Sequence, residues 1–138
     1  MNSVPPVPAV GVICFRGDQV LLIRRGRAPR AGQWSIPGGR VEPGERMQAT
    51  AHRELFEETG VRAELLGLVE VVDGVFPEID RHYVLIDYAA RWLEGEPRPG
   101  DDAAEAVFLP IDQACDRVDW DETRRVIRLA AARFLTTM

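Results

Sequence analysis

Three glutamates, Glu54, Glu57 and Glu58, stand within one helical turn of each other, with Arg53 immediately before them. At about 100° per residue on a helix, their carboxylates share an arc roughly a quadrant wide. Positions 57 and 58 are the surface neighbours of position 54. Like charges so placed repel one another, and near the C-terminal end of a helix the macrodipole opposes them as well. Bound divalent cations remove both penalties. Hard oxygen donors of this kind suit Mg²⁺ or Mn²⁺, which keep several waters and bridge to substrate phosphates. Arg53 cannot lose its charge, and its planar fork can hold a carboxylate at two points and so orient it. The plain alternative is a solvated acidic face, the usual fate of a charge run.

These side chains need a helix to share an arc. Pro43-Gly44-Glu45 reads as a turn into a helix over residues 46–58, closed by Gly60. Ala49, Ala51, Leu55 and Phe56 are expected on its apolar side, with His52 there as a structural histidine. Ahead of it, residues 9–15 and 20–23 read as two strands joined at Arg16-Gly17-Asp18-Gln19, a hairpin. A basic loop follows over residues 24–32, and Trp34-Ser35-Ile36 is a brief strand stopping at Pro37-Gly38-Gly39. Strands are expected at 65–72, 83–92 and 107–109, an acidic Gly/Pro loop at 94–102, a short helix after Pro110 and a longer one over 121–135. Residues 1–8 read as a loose, proline-bearing lead-in. With no internal repeat and no linker, the chain reads as a single domain, residues 1–138, of α/β (α+β) class with helices packed on a mixed sheet.

Composition narrows the functions. All 17 basic residues are arginine, against 22 acids, for a formal net charge of −5. Without lysine there is no Schiff-base or general-base lysine and no Gly-Lys-Ser/Thr phosphate loop. The acidic balance argues against nucleic-acid coating and against a polybasic membrane anchor. The missing lysine reads as the codon bias of a GC-rich, bacterial genome. Cys14 and Cys115 suggest neither a disulfide scaffold nor a zinc cluster. No signal peptide and no apolar run of membrane-spanning length is visible, so a cytoplasmic protein is expected. Arg24, Arg25, Arg27 and Arg30 crowd the basic loop, either as clamps for a terminal phosphate or as solvated charges. Trp34, Phe76 and Tyr83 could stack on a base, although Trp34 also reads as a core anchor.

The full pattern is more specific than the glutamate arc. Gly39, Glu45, Arg53-Glu54-Leu55, Glu57-Glu58 and Gly60-Val61 stand at the spacings of the Nudix box, and residues 39–61 resemble it at every specified position. The resemblance implies the Nudix fold, an α/β/α sandwich around a mixed sheet. It also implies metal-dependent hydrolysis of a nucleoside diphosphate linked to a moiety X, with Mg²⁺ as cofactor and Mn²⁺ as substitute. Glu57 and Glu58 would be metal ligands, and Glu54 a further ligand or the base that activates water. Arg53 would orient the glutamates, Glu45 would fix loop and helix, and the Gly39 carbonyl would reach a metal. Family members often add an acid from a later loop. Glu105 is the candidate, with Glu94, Glu96, Asp101 and Asp102 as competitors.

Substrate choice lies outside the box. In the ADP-ribose branch of the family a proline follows the box by about sixteen residues, and Pro77 stands sixteen after Val61. ADP-ribose, cleaved to AMP and ribose 5-phosphate, is therefore the expected small-molecule substrate. Residues 91–97 resemble the mutator-type branch, which hydrolyses modified nucleoside triphosphates. Dinucleoside polyphosphates are a third option, and a nucleotide-sugar-binding regulator that cleaves nothing is a different class. ADP-ribose-type relatives are often homodimers, and that expectation carries over.

Overall fold

The computed structural model describes residues 4–135. Its elements are β1 (Val7–Arg16), β2 (Gln19–Arg25), β3 (Trp34–Ser35), β4 (Gly38–Arg40), α1 (Met47–Thr59), β5 (Arg62–Phe76), a 3₁₀ turn (Pro77–Ile79), β6 (Arg81–Glu94), β7 (Ala103–Pro110), α2 (Ile111–Arg117), α3 (Asp121–Ala130) and a π-helical turn (Ala131–Leu135). Of the expected lead-in, residues 1–3 lie outside the described residues. Val7 and Pro8 already belong to β1, where their backbone pairs with Tyr83 and Val84. The basic loop begins later than expected because β2 runs to Arg25, held by β3 on one side and β7 on the other. The brief strand expected before Pro37-Gly38-Gly39 is β3 and ends at Ser35, but Gly38-Gly39 is itself extended. It forms β4, antiparallel to β1.

The sheet runs β3-β2-β1-β6-β5, with β4 also on β1 and β7 also on β2. It is mixed, because β1 and β6 are parallel while the other pairs are antiparallel. β1 is buried on both faces from Ala9 to Phe15, as a strand between two helical layers must be. Ile13 and Phe15 pack with Ala114, Cys115, Val126 and Ile127 of α2 and α3. Val10, Val12 and Cys14 pack with Ala51 and Leu55 of α1. Fully burying a side chain such as Phe15, Leu21 or Leu22 contributes about 1.5–3 kcal/mol.

β1 and β2 separate soon after their hairpin. They are paired only at Phe15↔Val20 and Arg16↔Gln19. Beyond that point β2 turns to β3 and β7, and β1 turns to β4. The sheet therefore splits at the end that carries Gly38-Gly39, and a cavity opens there.

Candidate active site

Helix α1 grades its three glutamates by burial. Ala51, Leu55 and Glu58 lie on one line of the helix, four and three residues apart, and all three are buried. The core-facing line thus runs through a carboxylate. Side-chain exposure is 13% for Glu54 and 41% for Glu57, following their angular distance from that line. The same geometry corrects the expected apolar side. Ala49 and Phe56 stand roughly 150° from Ala51 around the helix and are exposed, as is His52. Phe56 is covered by the Arg62 guanidinium, 4.2 Å from its ring centroid. Gly60, at φ 72°, closes the helix with its N–H on the Phe56 carbonyl at 2.9 Å.

Arg53 ties the site together. Its Nε donates to Glu45 Oε2 at 2.8 Å and its Nη2 to Glu45 Oε1 at 2.9 Å, a two-point clasp. Nη1 donates to Glu54 Oε1 at 2.8 Å and Glu57 Oε2 at 3.2 Å, and Nη2 also reaches the Arg40 carbonyl. Glu45 accepts two further bonds, from Thr50 Oγ1 at 2.7 Å and the Glu42 N–H at 3.2 Å. The Arg53 bonds, then that of Thr50, hold the Glu45 carboxyl down at about 2. β4 passes directly under this cluster. A Cβ at position 39 would fall 2.2 Å from Glu54 Oε2, so only glycine lets the carboxylate approach the backbone so closely.

Burial, then the charge of Glu54, pushes Glu58 up to about 9, although the Gly38 amide and Arg25 oppose this. Glu54 is also raised, first by burial and then by Glu57 against the pull of Arg53. Asp87, on β6, is raised to about 7 by burial and by Glu70. All three folded carboxyls hold protons that the unfolded chain releases near pH 4–4.5. Stability therefore falls as pH rises from there toward 9. Two scans of thermal unfolding in chelator, at pH 6 and pH 8.5, should show the lower Tm at pH 8.5. Added Mg²⁺ should recover more at pH 8.5 than at pH 6. Equal melting at both pH values, or an equal Mg²⁺ effect, would contradict the account. Glu45 acts only on the acid side, its contribution present above about pH 4.5 and lost toward pH 2.

A cavity of about 230 Å³ runs from this cluster across the split sheet to α3. Glu58, Gly38, Arg25, Arg30, Asp87, Phe76, Tyr83 and Trp120 are in its wall, with the Arg30 guanidinium over the Phe76 ring. Of the four loop arginines, Arg25 and Arg30 face the cavity. Arg24 does not, because its Nε donates to Glu105 Oε2 at 2.5 Å across β2 and β7. Arg27 pairs with Asp102 at 3.2 Å outside it. Glu105 lies within β7 and meets Arg24 on the exposed surface. Pro77 starts the 3₁₀ turn and is not in the wall, but its neighbours Phe76 and Ile79 are. Trp34 also lines the cavity, with the Arg117 guanidinium 5.0 Å from its ring and its backbone N–H donating to Asp119 Oδ2 at 2.7 Å. Sequence reasoning missed Asp87, Trp120 and Thr123. The one available signal was a lone acid inside the apolar run of residues 83–90.

The donor set fits a divalent cation in chemistry. Glu58 Oε2 is buried with no hydrogen-bond partner among the described residues, an arrangement that costs free energy unless a cation or proton meets it. No three acid, histidine or cysteine side chains among the described residues converge as a ready metal cage, and Arg53 Nη1 holds Glu54 and Glu57 on one donor. One or two carboxylates plus retained waters and substrate phosphates is the usual Mg²⁺ arrangement.

Clustered carboxylates beside an arginine- and aromatic-lined cleft, on a sheet between two helical layers, make the layout of a phosphate-anhydride hydrolase. The chain belongs to the Nudix hydrolase family: the NUDIX domain model matches residues 5–130. The chain is 35% identical over 111 residues to an ADP-ribose pyrophosphatase of Methanocaldococcus jannaschii, covering 78% of this chain and 63% of that protein. It is 32% identical over 119 residues to an 8-oxo-(d)GTP phosphatase of Mycolicibacterium smegmatis, covering 86% of this chain and 35% of that one. The match thus spans less than two thirds of either relative. The crystal structure of a MutT NUDIX hydrolase from Burkholderia pseudomallei superposes with a TM-score of 0.79 at 30% identity, over 91% of this chain and 98% of that one. The expected family and fold class hold. No described helix is long and apolar enough to cross a membrane.

Proposed function

We propose that residues 1–138 form a single hydrolytic domain that cleaves the pyrophosphate bridge of ADP-ribose, releasing AMP and ribose 5-phosphate. One observation carries this reading: the buried Glu58, with Glu54 beside it, ends a cavity whose walls carry two arginines and several aromatic rings. Glu54, Glu57 and Glu58, with the Gly39 carbonyl, would hold Mg²⁺ or Mn²⁺, which when bound neutralises the bridging phosphates and acidifies a water.

The chain's own groups do the rest. Arg53 fixes Glu54 through Oε1, leaving Oε2, the oxygen beside Gly39, to take the proton of the attacking water. Glu45 clamps Arg53 and thereby the glutamates. Arg25 and Arg30 grip the phosphates, and Phe76 and Trp120, packed edge to face with centroids 5.1 Å apart, form one aromatic wall for the base. Pro77 acts through Phe76 and Ile79 by fixing the turn that carries them. Glu105 serves as the additional acid, with Arg24 and Arg27 as surface counter-charges at the rim. Attack at one phosphorus expels the other half as a phosphate ester. No covalent enzyme intermediate is involved. A bacterial source, read from the lysine-free composition, a cytoplasmic location and a homodimer carried over from the ADP-ribose branch complete this reading.

The second reading is hydrolysis of modified nucleoside triphosphates, favoured by the likeness of residues 91–97 to the mutator-type branch. A panel of ADP-ribose, 8-oxo-dGTP and a dinucleoside polyphosphate with Mg²⁺, resolved by product chromatography, separates the readings. AMP and ribose 5-phosphate from ADP-ribose is the expected result. Turnover of 8-oxo-dGTP with ADP-ribose untouched moves the assignment to the mutator type. Binding without turnover across the panel makes the protein a regulator. In the same assay Glu57→Gln should stay folded, because the side chain is largely exposed, and should lose metal-dependent turnover. Wild-type rates in that variant remove Glu57 from the ligand set.

A further inference from the structure

Asp87 sits at the centre of the sheet, between Gly11 of β1 and Glu70 of β5 in the strand register. It is 6% exposed and lines the cavity wall. Position 11 is glycine under the same constraint, because a Cβ there would lie 2.3 Å from Asp87 Oδ1. The fold thus makes room for a carboxyl in the cavity wall, where its donor and acceptor capacity is available to a ligand. An unpartnered donor lies in the same wall. Arg30 Nε is buried without a partner, while the Arg30 guanidinium is paired with Glu78 and lies 4.6 Å from the Phe76 ring centroid.

The surroundings decide which form of the acid is used. Glu70 faces Asp87 from β5 and is itself tied to Arg125 of α3, which also holds Glu122 at 2.7 Å. The remaining charged or titratable groups around the cavity are Glu58 of α1, Arg25 of β2, Arg30 and Tyr83. A neutral carboxyl offers one donor and one acceptor side by side. The Watson–Crick edge of adenine offers the matching pair, the N6 amino hydrogen and N1.

We propose that Asp87 is the specificity residue that reads the adenine edge, its carbonyl oxygen accepting from N6–H and its hydroxyl donating to N1. This rests on the nucleotide reading of the cavity given above, but not on turnover. Affinity measurements on the full chain test it, with AMP against purine riboside 5′-monophosphate, which keeps N1 and lacks the N6 amino group. Titration calorimetry on the wild type should show at least a tenfold preference for AMP, about 1.4 kcal/mol. Asp87→Asn keeps a donor and an acceptor and should retain most of that preference. Asp87→Leu should abolish it while still binding both ligands by stacking.

A structural role for Asp87 would weaken both ligands together and leave their ratio unchanged. An unchanged ratio in a folded Asp87→Leu, equal wild-type affinities, or no AMP binding by the wild type each overturns the assignment. An AMP preference that depends on Asp87, found with no hydrolysis of ADP-ribose, would remove the pyrophosphatase reading and leave Asp87 as the base reader.

Discussion

Glu58→Gln should melt at a higher temperature than the wild type in the absence of metal, and should lose Mg²⁺-dependent turnover. The two effects have opposite signs because the same carboxyl is costly to the fold and, in the proposed mechanism, a ligand of the metal. At 8% exposure, with one oxygen unpartnered and Glu54 beside it, Glu58 is held up at about 9. At neutral pH the folded chain must therefore carry a proton that the unfolded chain has released. Glutamine has the same shape, carries no charge and can donate to Glu54. Removing the protonation cost stabilises by about 1–3 kcal/mol, which for a domain of this size is a Tm rise of several degrees. Turnover should fall by more than the 10–100-fold typical of losing a supporting partner of a metal ligand, because the ligand itself is lost. Added Mg²⁺, which should raise the wild-type Tm, should do little for the variant. Thermal scans with and without Mg²⁺, beside initial rates, check all three points. A destabilised variant, or one within a few fold of wild-type rate, would mean that Glu58 is an ordinary core acid.

The chemistry of this site was legible in one dimension, and its electrostatics were not. The spacing of Arg53, Glu54, Glu57 and Glu58 brings them to one arc because a helix converts spacing into angle without help from the rest of the fold, whereas Gly39 and Glu45 precede α1 and stood out only through the resemblance to the Nudix box. Which of the three glutamates is buried depends on how α1 is rolled onto the sheet. That roll is set by Leu55 and Ala51 against Val10, Val12 and Leu21, contacts made across long stretches of chain. The same roll exposes His52, Ala49 and Phe56. Arg24 and Arg25 look equivalent in sequence. Alternation on β2 sends one to Glu105 and the other to the cavity, and this requires knowing that β7 pairs with β2. Asp87 was hidden for the opposite reason. Its neighbours in sequence are ordinary strand residues, and only the split between β1 and β2 gives its carboxyl a cavity to face.

Arg53→Lys should be the other damaging change, although it preserves charge. The guanidinium contacts three carboxylates and one carbonyl through three nitrogens fixed in one plane. An ammonium at the end of a flexible stem presents its donors from a single point and cannot clasp Glu45 while bridging Glu54 to Glu57. The first loss is in stability, about 1–2 kcal/mol, since the side chain is 30% exposed and water screens part of each ion pair. Its pH signature is specific. Glu45 should return upward from about 2 toward the ordinary carboxylate range. The variant should then lose less on acidification between pH 4.5 and 2 than the wild type does, because less of its stability depends on an ionised Glu45. The second loss is catalytic. Glu54 and Glu57, no longer drawn toward one cation, should repel each other into other rotamers. kcat should fall about 10–100-fold and the Mg²⁺ concentration for half-maximal rate should rise. KM for the nucleotide should change little, because Arg53 is absent from the cavity wall that Arg25, Arg30 and Phe76 line. Rates measured across nucleotide and Mg²⁺ concentrations separate these parameters. A rise confined to KM would place Arg53 on the substrate phosphates and leave Glu54 and Glu57 to be oriented by something else.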